Sequence, residues 1–474
     1  MKKQQRYKKV FVLAVAWLCL ASAGLAQDPQ TPQGAEKPKP AARTYGPIGS
    51  GDEDQNPAPD TLQPDDRPLT GLQQLTVGTQ MERHSYWVPG VSYYNFIQSN
   101  GASQGGGSGW NSTSYLGGDL SLLENWSRSK LAVNYSGGGN FSTDSSVGNG
   151  WFQQLGATQT VNWERVQLTL LDQFAYLPQS QFGFGAGTSL SQPGIGGSLG
   201  VGSPGIGGGL DPSQSIFSAV GPRYSNSFGT QMNYLLSKRS SVTIGGLIGI
   251  LRFTEPGNIE SNNYLGNAGY NYQITREDTI GVVYRFSSFH YLGFPQAIGD
   301  HTIQAAYGRK ITGRMALQLT GGPEITYFRV PEGGSTKTRH VSGAAGGTLT
   351  YVIPQGSVSF GYNHGLTSGS GVLLGATTDQ LTVSASRKVT RVWSGDAHIG
   401  FSRNRPAESA QGVSNPSYNA VYAGAAVARP LGRNASFSLG YTAFETLNNA
   451  GQASFTTHQI SVGVSWHTRP FVLH

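Results

Sequence analysis

Residues 264–274 read Tyr-Leu-Gly-Asn-Ala-Gly-Tyr-Asn-Tyr-Gln-Ile. Tyr264, Gly266, Ala268, Tyr270, Tyr272 and Ile274 fall on one side of an extended chain, and Asn267, Gly269, Asn271 and Gln273 on the other. Successive side chains of a strand point to opposite faces, so this stretch predicts a β-strand with one apolar and one hydrated face. The pattern recurs at 357–363, where Val358, Phe360 and Tyr362 alternate with Ser359, Gly361 and Asn363. It recurs again at 436–442 (Phe437, Leu439 and Tyr441 against Ser438, Gly440 and Thr442) and at 460–466 (Ile460, Val462, Val464 and Trp466 against Ser461, Gly463 and Ser465).

The connections alternate as well. Short polar turns occur at Glu164-Arg165, 237–239, 275–278, 312–314, 354–356, Thr390-Arg391 and 432–434. Between them lie longer Gly-, Ser-, Pro- or Asn-rich stretches near 142–150, 178–221, 254–262, 292–299, 331–338, 367–375, 406–416 and 448–454. Short turns at one end and long loops at the other are the asymmetry of a transmembrane β-barrel, which a soluble sandwich has no reason to keep. The expected fold is all-β: one antiparallel transmembrane barrel of about 18 strands, with 16 as the alternative count. The first strand falls at 85–97, carrying Trp87, Val91, Tyr93 and Phe96, with Pro89 tolerated at a rim position.

Three segments follow: 1–26 as a signal peptide, 27–84 as a Pro-rich, mostly disordered periplasmic segment, and 85–474 as the barrel. Lys2, Lys3, Arg6, Lys8 and Lys9 precede an apolar run from Val10 to Leu20 and the small residues Ala21 to Ala26, the layout of a secretory signal. Cys19, the single cysteine, lies in that run after Trp17 and Leu18, so a chain cleaved before Gln27 has no thiol for a disulfide or a thiolate metal site. Residues 27–70 hold nine prolines and too few apolar groups to offset their ordering entropy. The formal charge of +7 includes the five basic residues before Gln27, and the remainder carries only +2, which removes the main support for a nucleic-acid partner. Charged residues make up 12% of the chain and hydrophobic ones 37%, with 67 glycines, a composition that suits two-faced strands better than a soluble core.

Aromatic residues gather near the expected strand ends, among them Trp87, Trp126, Trp151, Trp163, Trp393 and Trp466. Amphipathic rings are stable where hydrocarbon meets headgroup, so these read as interfacial girdles. On these patterns, residues 85–474 resemble the bacterial outer-membrane β-barrels, including porin-like channels. Barrels of that class commonly end in a strand with a polar residue, Gly and aromatics as an assembly signal. Ser461, Gly463 and Trp466 match it, whereas Thr468 stands where a second aromatic is usual and the chain runs on to Phe471 and His474. The resemblance implies localisation in the outer membrane, outer-membrane lipid as surroundings and the barrel-assembly machinery as a partner through the C-terminal strand.

No local spelling of a catalytic, cofactor or metal site stands out. Gly196 to Gly200 fits a nucleophile elbow and Gly200 to Gly205 a dinucleotide motif, but neither has the strand-to-helix context its chemistry requires. The nine histidines form no close ligand pair. The charges that fall inside strands sit by parity on the polar face: Asp119, Arg285, Glu324, Asp396 and His398 are the candidate lumen-lining residues. Asp172 breaks the rule, because it is in register with Leu168, Leu170, Phe174 and Tyr176. These features favour a passive channel for small polar solutes. The alternatives are a non-transporting surface or adhesion barrel that works through its outer loops, and an outer-membrane hydrolase. The loop at 178–221 is the expected place for a constriction or a binding surface.

Overall fold

The computed structural model describes residues 68–72, 85–99, 109–143, 149–177, 221–329, 338–369, 371–407, 417–447 and 455–473. The expected signal peptide, most of the Pro-rich segment and the stretch 178–220 with its two motif-like strings lie outside the described residues.

The strands are β1 (Ser85–Ser99), β2 (Trp110–Asn125), β3 (Ser129–Ser142), β4 (Gly150–Asn162), β5 (Val166–Leu177) and β6 (Arg223–Leu235). They continue with β7 (Ser240–Phe253), β8 (Ser261–Gln273), β9 (Asp278–Tyr291), β10 (Ala297–Thr312), β11 (Met315–Arg329) and β12 (Thr338–Ile353). The series ends with β13 (Gly356–Thr367), β14 (Ala376–Lys388), β15 (Ser394–Pro406), β16 (Tyr418–Pro430), β17 (Ala435–Leu447), β18 (Phe455–His467) and β19 (Phe471–Leu473). From β1 to β18 each strand pairs antiparallel with its sequence neighbour, and β1 closes the ring by pairing with β2 on one edge and with β18 and β19 on the other. Because β18 and β19 share one edge of β1, the ring has eighteen positions. A closed ring leaves no unpaired edge, which is the condition for a sheet to stand in hydrocarbon.

The apolar row of each strand faces outward. Val91, Leu116, Ile244, Ile248, Val282, Ile303, Val341 and Ile399 are all exposed on the outer surface, while the alternate positions are buried within the ring. An apolar exterior around a polar interior defines a transmembrane-type β-barrel. Exposed Trp126 and Trp163 stand in the short turns and Trp87 and Trp466 beside them, while Trp110 and Trp151 stand at the long-loop end, so the aromatics form two belts.

The closing seam is built around a glycine. Gly90 of β1 lies in register with Asp119 of β2 and His467 of β18. A Cβ at Gly90 would collide with both side chains, and in its absence they meet over the strand, His467 Nε2 lying 2.7 Å from Asp119 Oδ2. Past Thr468 the chain resumes as β19, where Phe471 pairs with Trp87 and stacks on it at 4.7 Å between ring centroids. The aromatic missing at Thr468 is thus supplied three residues later. One ladder is shorter than its strands: β12 and β13 pair from Ile353↔Gly356 to Ala345↔His364, although β12 begins at Thr338 and β13 runs to Thr367.

Candidate functional site: the barrel interior

The long-loop end of the barrel is crossed by the segment between β13 and β14. Ser368 to Gly375 includes Gly369, Gly371 and Gly375 at φ of 80°, 83° and 80°, a conformation that side chains beyond hydrogen rarely adopt. The amides of Val372 and Leu373 both donate to Gly369 O, at 3.0 and 3.2 Å, which coils the segment tightly. Ile259 N then donates to Gly371 O at 2.9 Å, tying it to the connection between β7 and β8. Val372 packs on Leu251 and Phe253, and Leu366 and Leu374 pack on Phe289, Tyr291, Ile298 and Phe328. All six of these wall residues are buried inward-facing side chains of β7, β9, β10 and β11. Fully burying such a side chain is worth about 1.5–3 kcal/mol, so the partly buried Val372 and Leu374, with Leu366 at the end of β13, each contribute a fraction of that to holding the loop inside the barrel.

Charge gathers at the root of this loop. Arg285 of β9, Asp300 of β10 and Glu324 of β11 line one cavity, together with Asn263, Gln304 and Asn363. Thr302 Oγ1 donates to Asp300 Oδ2 at 2.8 Å and Thr326 Oγ1 to Oδ1 at 3.3 Å. Ser342 Oγ donates to Glu324 Oε2 at 2.8 Å, and the amide of Leu366 to Oε1 at 3.1 Å. That last bond is made by β13 beyond the point where its ladder with β12 has ended. Each carboxylate is only 3% exposed, yet its oxygens are satisfied, and the Arg285 guanidinium provides the opposite charge. The arrangement brings one guanidinium and two hydrogen-bonded carboxylates together on the inner wall.

The other charges proposed from the sequence sit elsewhere. Asp119 is engaged by His467 at the seam. Asp396 and His398 are both on β15, with Oδ2 and Nδ1 at 4.0 Å, and the His398 ring lies 5.8 Å from that of Tyr422. Sequence reading missed Asp300, which parity places with Ile298, Thr302 and Gln304 but which borders the stretch 292–299 taken as loop. It also missed the inward turn of 368–375, for which the three consecutive apolar residues Val372, Leu373 and Leu374 were the available sign. Among the described residues no group of His, Cys, Asp and Glu has the arrangement of a metal site.

Asp172 keeps its outward register with no bulge, since the ladders on both sides of β5 run unbroken through it. It is 8% exposed and accepts a 2.8 Å hydrogen bond from Asn226 Nδ2 of β6. On the same outer surface, near the long-loop end, Asp379 of β14 binds Arg405 Nη2 at 3.3 Å and His364 Nδ1 at 2.5 Å, and accepts the Tyr362 hydroxyl at 3.2 Å.

No protein-family model matches the chain, and no curated protein matches it. Solved structures of similar architecture include OccAB3 of Acinetobacter baumannii, at 7% identity and a TM-score of 0.41, covering 82% of this chain and 99% of that one. OpdQ of Pseudomonas aeruginosa is similar at 11% identity and a TM-score of 0.38, covering 82% and 98%. OccK2 (OpdF) of Pseudomonas aeruginosa, solved in complex with glucuronate, is similar at 9% identity and a TM-score of 0.41, covering 82% and 98%.

Proposed function

We propose that the protein is a passive outer-membrane channel for small polar solutes. The observation that carries this reading is a closed ring of eighteen strand positions whose inner wall is polar and whose loop at 368–375 folds inward over Arg285, Asp300 and Glu324. Barrels of this size enclose an aqueous path unless something fills it. Asp119, Arg285, Glu324, Asp396 and His398 are proposed to line that path, and their support is that all five belong to inward rows. With two acidic groups around one guanidinium, the narrow zone favours neutral, zwitterionic or weakly cationic solutes bearing hydroxyl or ammonium groups over anions.

Residues 1–26 are proposed to direct export, with 27–84 remaining on the periplasmic side apart from the short piece discussed below. The C-terminal strand is proposed as the contact for the barrel-assembly machinery, with Ser461, Gly463, Trp466 and Phe471 as its recognised side chains.

Planar-bilayer recordings together with liposome swelling in neutral sugars, amino acids and dicarboxylates test the reading. The expected result is discrete conductance steps and faster swelling in neutral and zwitterionic solutes than in dicarboxylates. Protein that inserts as a heat-modifiable barrel yet passes neither ions nor sugars would refute the channel.

A further inference from the structure

Residues 68–72, Pro-Leu-Thr-Gly-Leu, lie inside the barrel against the wall formed by β6 to β11. Their backbone is held by side-chain amides of that wall. Thr70 N donates to Asn271 Oδ1 at 3.2 Å, and Asn271 Nδ2 returns a bond to Thr70 Oγ1 at 2.9 Å. Asn267 Nδ2 donates to Thr70 O at 2.9 Å, and Leu72 N donates to Gln231 Oε1 at 2.5 Å. Gly71 N donates to Pro68 O at 3.1 Å, closing a turn that presents the segment to the wall. Thr70 and Leu72 are 3% and 1% exposed.

The wall is cleared for this segment by glycine in four adjacent strands. A Cβ on Gly269 of β8 would lie 2.5 Å from Thr70 Cβ, and one on Gly281 of β9 would lie 2.9 Å from Thr70 Cγ2. On Gly245 of β7 it would lie 3.0 Å from Leu72 Cδ1, and on Gly308 of β10 3.2 Å from Leu69 Cδ1. Leu72 also enters an apolar patch of the inner face formed by Leu171, Leu247 and Leu265. Amides that read both backbone donors and an acceptor, glycines that make room, and a pocket for one leucine are the parts of a peptide-binding groove. The 12 residues from 73 to 84 that join Leu72 to Ser85 reach roughly 40 Å when extended, enough to leave the groove accessible to its own chain.

We infer that the inner wall of β6 to β11 is a peptide-docking groove occupied in cis by Leu69 to Leu72, and that the docked segment narrows the half of the interior nearer the short turns. The groove stands on its own contacts, whereas its effect on flow rests on the channel reading above.

Two measurements test these parts separately. Docking is read by cross-linking in the full-length chain assembled in cells, with Cys19→Ala to remove the native thiol. The pairs Thr70→Cys with Gly281→Cys and Leu69→Cys with Gly308→Cys are expected to form intramolecular disulfides under mild oxidation. Thr70→Cys with Ser384→Cys on β14 is expected to form none. Absence of both cross-links in heat-modifiable barrel overturns the docking site, whether or not the protein conducts. Narrowing is read by conductance: Gly269→Leu with Gly281→Val should evict the segment and raise single-channel current to that of a chain lacking residues 68–72. A synthetic peptide of residues 66–74 added to the deleted chain should lower the current again, and the oxidised Thr70–Gly281 cysteine pair should keep it low. Unchanged current on eviction, alongside cross-linking in the unevicted chain, overturns the narrowing and leaves the groove as a purely structural clasp.

Discussion

At Asp172 a carboxylate faces outward from the middle of β5, where the surroundings are hydrocarbon, and its hydrogen bond from Asn226 is what makes the position tolerable. Asp172→Val should leave the Asn226 amide without that acceptor and cost about 1–3 kcal/mol, whereas Asp172→Val combined with Asn226→Leu should be neutral or stabilising. A double-mutant cycle of urea unfolding in lipid vesicles measures this, and equal costs for single and double variants would rule the pairing out as the reason. Parity in the sequence put Asp172 on the apolar face, and the structure keeps it there. Its partner was illegible because it lies 54 residues away in the next strand. The interior acids behave similarly. Glu324 and Arg285 were visible as polar-face charges, but their convergence with Asp300 depends on the register of three strands. Asp300→Asn with Glu324→Gln removes both negative charges and leaves Arg285, so reversal potentials in a salt gradient should move toward anion preference. An unchanged potential would place the ion path away from this cluster.

Among the elements, the connection 368–375 is the one whose role the sequence concealed. Gly and Ser dominate it, as in any exposed loop, and only Val372 to Leu374 hinted at an apolar destination. That destination is assembled from β7 and β9 to β11, whose contacting residues lie up to 121 positions earlier in the chain, from Val372 back to Leu251. Deleting 369–374 should raise conductance while leaving the barrel heat-modifiable, and a barrel with unaltered current would remove the loop from the path. The turns were read more securely, since two- to five-residue connections between alternating strands admit few solutions. At Pro354-Gln355, Pro fixes the first corner and Gln355 adopts φ of 63°, the single non-glycine residue in that region among those described. Gln355→Gly should relieve up to about 1 kcal/mol of backbone strain, seen as a higher midpoint in urea unfolding.

For the molecule as a whole, alternation and loop asymmetry were enough to give a barrel of about 18 strands with 16 left open, because a barrel imposes the same two-residue period on every segment, and the ring of eighteen positions decides between them. The exception was the C-terminus, where β19 continues the edge of β18 after Thr468, and the stacking of Phe471 on Trp87 explains why the chain does not stop at Trp466. Closure itself depends on Gly90, since any larger residue forces Asp119 and His467 apart. Gly90→Val should therefore sharply reduce the heat-modifiable fraction on gels, while Gly90→Ala should show a partial loss. A normal yield of closed barrel for Gly90→Val would mean that the seam tolerates rearrangement. The short ladder between β12 and β13 also acts as a depth gauge. Beyond Ala345↔His364 the facing edges of β12 and β13 no longer pair with each other, and Asp379 and Arg405 bring charge to the outer wall at the same level, so the hydrocarbon boundary falls no higher than this point. Nine residues of β13, from Gly356 to His364, then span the oily layer, at the short end of the roughly 9–11 that a tilted strand requires, which suits this cylinder to a thin bilayer.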